Sequence, residues 1–443
     1  MKTILTGLLA IVTLAWGWDI LSSSGPSGGS LLWTIRQEGL YLTGLFSIAL
    51  MSLSMILSTR PAWLEWPLGG MDRVYRLHKW SGILAISFAA AHWLVEMSSD
   101  MLKALIGRAG RLPKENYTGW FDTMRDLAKD MGEWAIYILL AMLLLTLWKR
   151  FPYKIWRHLH RIMPAFYLVL AFHAAMLAPL DYWLQPVGAL LAVLLTGGAI
   201  SSVLSLTGRI GQHRQVSGTI VSVCTSFTNI TAVQCRLDAG WKGHRAGQFA
   251  FVTFDPSEGP HPFTIASADR GDRNITLQIK GLGDYTRSLA QRLSSGQAIK
   301  VEGPYGQFDL SRHNPRAQQI WIAGGIGITP FLAWLESLQG QSNQTDIAPV
   351  ADLHYCTRDR DTDNLVPKLE SLCAALPSVR LHIHGARQGE MLTTEKISAT
   401  QTGAKRTEIW FCGPQGLANV LKEGLQSTLR GRFRFHQEAF EMR

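Results

Sequence analysis

Long apolar runs fill the first two hundred residues, and short alternating runs fill the rest. Six apolar stretches, 3–21, 39–57, 77–97, 134–148, 164–178 and 183–206, approach the ~20 residues that a membrane-crossing helix needs, the two shortest being completed by their flanks. Lys2 and the run behind it have the outline of a signal peptide. They lack a convincing A-x-A site and end in Trp16-Gly17-Trp18-Asp19, so the segment reads as a retained first span. From about residue 215, β-branched runs divided by Gly and Pro (216–223, 230–237, 248–254, 275–280 and 298–302) predict a small antiparallel barrel. From 319 onward, strand patterns at 319–323, 350–356, 379–384 and 407–412 alternate with helical patterns at 329–338, 365–375 and 414–429. That alternation predicts a parallel sheet with crossover helices. The expected architecture is multi-domain. An all-α six-helix transmembrane bundle spans 1–210, an antiparallel β-barrel 211–314 and an α/β parallel-sheet domain 315–443, with a short basic linker at about 207–215.

Composition sharpens this division. Charged residues make up 17% of the 443, below the roughly 25% of a soluble protein, and twelve of the sixteen Trp precede residue 184. Disorder, a disulfide scaffold and a small binding module are excluded. The net charge of +10 could suggest nucleic acid, but before residue 215 the basic residues cluster between apolar runs and suit lipid headgroups instead. Arg60, Arg73, Arg76 and Lys79 lie between spans two and three. Lys149, Arg150, Lys154, Arg157 and Arg161 lie between spans four and five, and Arg209 and Arg214 follow span six. The positive-inside rule places these segments and both termini in the cytoplasm. The 98–132 loop is then outside, where it is expected to form an amphipathic helix on the outer leaflet. All five Cys (224, 235, 356, 373 and 412) fall on the cytosolic side and read as reduced thiols.

Histidine brings chemistry to the apolar half, since an ionisable residue inside a bilayer is costly. Span three carries His78 and, fourteen residues on, His92. Span five, running the same way, carries His160 and, thirteen residues on, His173. Each pair is separated by roughly 20 Å along a helix. Two parallel helices with matched histidines can hold two b-type haems, His78 with His160 inside and His92 with His173 outside. On a continuous helix His92 lies about 40° from the face of His78, whereas His173 lies about 140° from His160. His158, about 60° off, is the rival inner ligand, unless a kink at Pro164 re-aims His160.

In the barrel, His261-Pro262-Phe263-Thr264-Ile265-Ala266-Ser267 precedes Lys280-Gly281-Leu282-Gly283-Asp284-Tyr285-Thr286. Thr264 suits the edge of a flavin ring, and Lys280 with the amides of a helix starting near Asp284 suits a pyrophosphate. Farther on, strand 320–323 runs into Gly324-Gly325-Ile326-Gly327-Ile328-Thr329-Pro330, a glycine turn and helix start suited to a dinucleotide. Arg358, after a second strand, either meets an adenosine 2′-phosphate or is a solvated surface residue. Phe411-Cys412-Gly413-Pro414 ends a later strand at the same carboxyl edge.

Residues 261–267, 279–289, 303–306, 324–330 and 412–414 resemble, in that order, the flavin and nicotinamide modules of the ferredoxin–NADP reductase superfamily. The HPFT form and the His spacings of fourteen and thirteen resemble its membrane-bound branch, the ferric reductases and NADPH oxidases, in a compact bacterial form. The resemblance implies FAD, two haems and NADPH or NADH as cofactors. It also implies Thr264 at the flavin ring, Gly324 to Pro330 on the dinucleotide, Cys412 beside the nicotinamide and Phe440 covering the flavin. The implied activity is transfer of electrons from cytosolic NAD(P)H across a bacterial inner membrane to an outer acceptor. That acceptor is a ferric chelate in the first instance, or oxygen, giving superoxide. A haem-free transporter or redox sensor is the reading from a different class. No nucleic-acid partner is expected.

Overall fold

The computed structural model describes residues 2–22, 30–108, 111, 117–148, 150–226, 229–340, 349–400, 406–428 and 433–438. It divides into two compact units, Met1–Gly69 with Arg73–Ile210, and Gly70–Asp72 with Gly211–Arg443. In the first, the helices are α1 (Lys2–Ser22), α2 (Leu31–Ser58), α3 (Ala62–Leu68), α4 (Met71–Ile106), α5 (Trp120–Leu147), α6 (Tyr153–His160), α7 (Met163–Leu177) and α8 (Pro186–Leu206). With α6 and α7 taken together as Tyr153–Leu177, six helices are long and apolar enough to cross a membrane. Apolar side chains such as Leu14, Leu94, Leu144 and Val193 stay exposed, as they must where lipid is the solvent. Inside the bundle, hydroxyls are tied to backbone or to each other: Ser47 Oγ donates to Ala85 O at 3.0 Å, and Ser52 Oγ lies 2.8 Å from the buried Tyr167 hydroxyl.

The helices outrun the apolar stretches that announce them. α4 has 36 residues, and at about 1.5 Å each it is much longer than a ~30 Å hydrocarbon core. The expected separate helix in the 98–132 loop is therefore corrected. Residues 98–106 continue α4 and 120–132 begin α5, while 109–110 and 112–116 lie outside the described residues. The second difference is a break. Residues 161 and 162 interrupt span five. Pro164 sits in the first turn of α7 and has no N–H to return to the carbonyl of residue 160.

The second unit opens with β1 (Gln215–Thr225), β2 (Ile230–Leu237), β3 (Phe249–Thr253), β4 (His261–Thr264), β5 (Asn274–Lys280), α9 (Asp284–Arg292) and β6 (Ala298–Tyr305). The strand order is β4-β3-β6-β1-β2-β5, antiparallel throughout. A bridge between Ile265 and Leu277 joins the two edges and closes the barrel. Inward residues such as Ile220, Val233, Leu277 and Val301 form its core. Then come β7 (Gln318–Gly324), α10 (Thr329–Gly340), β8 (Ala351–Thr357), α11 (Leu365–Ala374), β9 (Val379–Gly385), α12 (Thr394–Ala399), β10 (Thr407–Cys412), α13 (Gln415–Thr428) and β11 (Phe433–Glu438). This sheet is parallel in the order β11-β10-β7-β8-β9. Trp334 and Trp410 pack on Phe308 in its core, with Trp321 against Trp334, and Trp334 Nε1 donates to Ala246 O at 3.0 Å. That bond and Phe308 hold the barrel to the parallel sheet.

A row of imidazoles crosses β8 and β9. His354 stacks between His382 and His384, with ring centroids 4.6 and 5.4 Å away, and its Nδ1 lies 3.1 Å from His384 Nε2. Burial, reinforced by the two neighbouring imidazoles, lowers the His354 pKa to about 3. The folded state therefore keeps His354 neutral, while the unfolded chain takes up a proton near pH 6.5. Stability from this group is complete above about pH 6.5 and is lost as pH falls toward 3, with a slope of up to ~1.4 kcal/mol per pH unit. Thermal melts of the purified chain between pH 7 and 4 should show this slope, and His354→Phe should flatten it. An unchanged slope in the variant would place the titration elsewhere.

Candidate functional site

Four of the five histidines of the first unit meet in two pairs. Ring centroids are 6.1 Å apart for His78 and His160, and 6.3 Å apart for His92 and His173. His78 Nδ1 donates to Ser54 O at 2.9 Å, His92 Nδ1 to Leu40 O at 2.9 Å and His173 Nδ1 to Ala128 O at 2.8 Å. Each bond fixes the tautomer and leaves Nε2 with its lone pair, as in imidazoles that ligate a metal. His160 is held instead by stacking on Trp156, at 4.8 Å and 17°, and Trp156 Nε1 donates to Thr146 Oγ1. A straight helix would turn His160 well away from the face of His173, and the break at residues 161–162 removes that constraint. His158 is exposed, and its Nδ1 donates to Lys154 O.

Two imidazoles bound to one metal at about 2 Å each place their centroids roughly 6 Å apart, which both pairs satisfy. Among the described residues no three His, Cys, Asp or Glu side chains gather to hold a bare metal ion. Two facing imidazoles suit an iron whose other bonds come from a macrocycle.

In the barrel, Thr264 closes β4 opposite Phe249, with Phe263 packed on the core. His261 stacks on Tyr285 at 4.2 Å and 17°. Thr286 Oγ1 accepts from the amides of Leu282 and Gly283 at 3.0 Å, which fixes the start of α9 but occupies those two donors. Ser267 Oγ accepts from Thr276 N, so its oxygen ties Ser267 to β5. Lys280 ends β5 with its ammonium 3.7 Å from a methyl group placed on Gly325, so barrel and parallel sheet meet at this cation.

The two glycine turns of the parallel sheet lie against each other. A methyl group on Gly327 would overlap the Cys412 carbonyl, and one on Gly324 would lie 2.7 Å from Pro414 Cδ. Gly413 would meet Gly324 Cα at 3.0 Å. Turn-on-turn packing is thus a reason for glycine at these positions. Gly325 has φ +55°, a left-handed conformation that favours glycine. Thr329 Oγ1 donates to Ile326 O at 2.6 Å, and Pro330 follows in the first turn of α10. Arg358 is exposed one residue past β8.

Glu438, which sequence reasoning missed, pairs in register with Cys412 and is 8% exposed. Only the short edge strand β11 brings it there. Phe440 lies outside the described residues. Burial first, and then the Glu438 charge, hold the Cys412 thiol well above the usual range. Burial pushes the Cys235 and Cys356 thiols up to about 12 and that of Cys373 to about 11. Brief treatment of the native protein with iodoacetamide near pH 8 should therefore label the exposed Cys224 and spare the other four. Peptide mapping that found Cys412 labelled first would contradict this picture.

Six helices long and apolar enough to cross a membrane thus precede an antiparallel barrel and a parallel-sheet domain. Residues 43–171 match the ferric reductase like transmembrane component family, and residues 215–310 match an FAD-binding domain family. The chain is similar to ferric reduction oxidase 4 of Arabidopsis thaliana, with 40% identity over 88 residues, 18% of this chain and 12% of that protein. It is also 24% identical over 211 residues to the stachydrine N-demethylase reductase subunit Stc4 of Rhizobium meliloti (strain 1021), covering 44% of this chain and 58% of that protein. Thus the match spans less than two thirds of either relative. A ferredoxin-NADP+ reductase from Plasmodium falciparum superposes with a TM-score of 0.42 at 15% identity, over 51% of this chain and 96% of that one.

Proposed function

We propose that the chain carries electrons from cytosolic NADPH or NADH through FAD and two haems to a ferric chelate outside the cell. The observation that carries the proposal is the pair of facing imidazole pairs, fourteen residues apart on one continuous helix. His78 and His160 would hold the inner haem, and His92 and His173 the outer. When bound, the nicotinamide would supply two-electron hydride chemistry, the flavin exchange between two-electron and one-electron chemistry, and the haems one-electron chemistry. The chain's own residues order the sequence. Gly324 to Pro330, with Gly413 and Pro414, form the dinucleotide turns, and Arg358 takes a 2′-phosphate. Thr264 meets the flavin edge, Lys280 neutralises a pyrophosphate, and neutral Cys412 packs beside the nicotinamide, with Phe440 over the flavin on the strength of the resemblance alone. Carbonyl-anchored imidazoles and burial set the iron potentials.

The basic segments between spans favour cytoplasmic termini. With the inside negative, each electron moved outward gains ~2.3 kcal/mol per 100 mV. The ferric acceptor is favoured by the likeness to the Arabidopsis ferric reduction oxidases. The test is anaerobic addition of NADPH to the detergent-purified chain, followed at the flavin and Soret bands. Flavin bleaching and then haem reduction is expected, with faster reoxidation by ferric citrate than by oxygen. The reverse order of acceptors would make the protein an oxidase. A chain without haem absorption would overturn electron transfer across the membrane and leave a transporter or sensor.

A further inference from the structure

The outer imidazoles are presented twice by the same local device. In α2, Leu40 O accepts from His92, and Gly44, one turn on, lies under the ring. A methyl group there would sit 3.1 Å from His92 Cε1 and Nδ1. In α5, Ala128 O accepts from His173, and Gly132, again one turn on, lies under that ring. A methyl group there would overlap His173 Nδ1 and Cε1. One turn beyond each carbonyl, in the opposite direction along the helix, an arginine ties the same helix pair. Arg36 donates to Glu96 O and to its carboxylate at 2.7 Å, four residues past His92. Arg125 donates to Met176 O at 2.6 Å, three residues past His173. Arginine, carbonyl and glycine thus recur in that order, and each set seats one imidazole. The inner pair has no such symmetry: His78 bonds Ser54, and His160 stacks on Trp156.

We infer that α2 with α4 and α5 with α7 are two copies of one imidazole-presenting unit, and that Gly44 and Gly132 are its positioning residues. The missing Cβ lets the ring lie against the neighbouring backbone close enough for Nδ1 to reach a main-chain carbonyl. That bond fixes the ring plane and aims Nε2 at the opposite histidine. A side chain at either glycine pushes the ring outward and breaks the alignment. The two positions differ in tolerance. At Gly44 a shift of a few tenths of an ångström accommodates a methyl group, whereas at Gly132 the ring must leave its place. This inference rests on the haem reading above.

The experiment compares Gly132→Ala, Gly44→Ala and Gly39→Ala in the full chain. An added methyl group at Gly39 meets open space, so that variant controls for the change in helix propensity. Haem per chain is measured by pyridine haemochrome, ligand geometry by low-spin EPR g-values, and integrity by FAD content and gel filtration. Gly132→Ala should fall from about two haems per chain to about one. Gly44→Ala should keep both with one EPR signal shifted, and Gly39→Ala should match the wild type. Wild-type haem content and g-values in both Gly132→Ala and Gly44→Ala would overturn the inference while leaving the haem reading intact. A haem-free wild type removes both. Should Gly132→Ala not reach the membrane, Gly44→Ala decides alone, and an unchanged EPR signal there sinks the idea.

Discussion

His92→Ala should abolish reduction of external acceptors while leaving flavin reduction by NADPH unchanged. The substitution takes away one of two facing imidazoles and leaves a ring-sized gap beside Leu40 O, which loses the His92 donor while keeping that of Thr43 Oγ1. Groups that merely orient a ligand already cost 10–100-fold when removed. Loss of a proposed haem ligand itself should exceed about 100-fold in acceptor turnover, with the haem content reduced by about one per chain. Stopped-flow bleaching of the flavin gives the unaffected half, and ferric citrate reduction gives the lost half. Added imidazole should restore part of the signal, because the gap matches it in shape and the carbonyl still accepts its N–H. Full acceptor turnover in His92→Ala would remove this residue from the electron path.

Gly327→Ala should disable the reductase module from the opposite end of the chain. Its new methyl group would overlap the Cys412 carbonyl, a backbone atom with no rotamer by which to yield. Overpacking a dense interior costs about 1–3 kcal/mol, and more where backbone must move. The two turns that part are those proposed to hold the dinucleotide, so the loss falls on NADPH use rather than on the membrane unit. A rise of at least tenfold in KM for NADPH, an earlier melting step and an unchanged dithionite-reduced haem spectrum are expected. Gly416→Ala, where an added methyl group meets open space, should behave as wild type. Equal KM values in the two variants would show that the turns tolerate separation.

Much of this arrangement is written in residue spacing. The order of apolar runs announces the six spans, and the fourteen residues from His78 to His92 survive intact because α4 is unbroken. Helix ends do not show, because α4 and α5 run on with amphipathic turns whose polar residues look like loop. The facing of His160 toward His78 was only half legible. Pro164 marks a disturbance, but its size depends on how residues 161 and 162 turn. Gly44 and Gly132 carry no signal in a single sequence, since their meaning lies in a ring from another helix. Glu438 is hidden for a similar reason: the register of a six-residue edge strand sets it beside Cys412.

The break between α6 and α7 also divides the mechanics of the bundle. On one side His78 and His92 are fixed to a single stiff rod, so any tilt imposed at one end is felt at the other. Across the gap, His160 and His173 sit on two shorter rods joined by the turn at Arg161 and Ile162, whose amides return to Arg157 O and Leu159 O. The facing imidazoles are therefore carried by one helix on one side and by two on the other, so His160 and His173 are aimed independently while His78 and His92 are not.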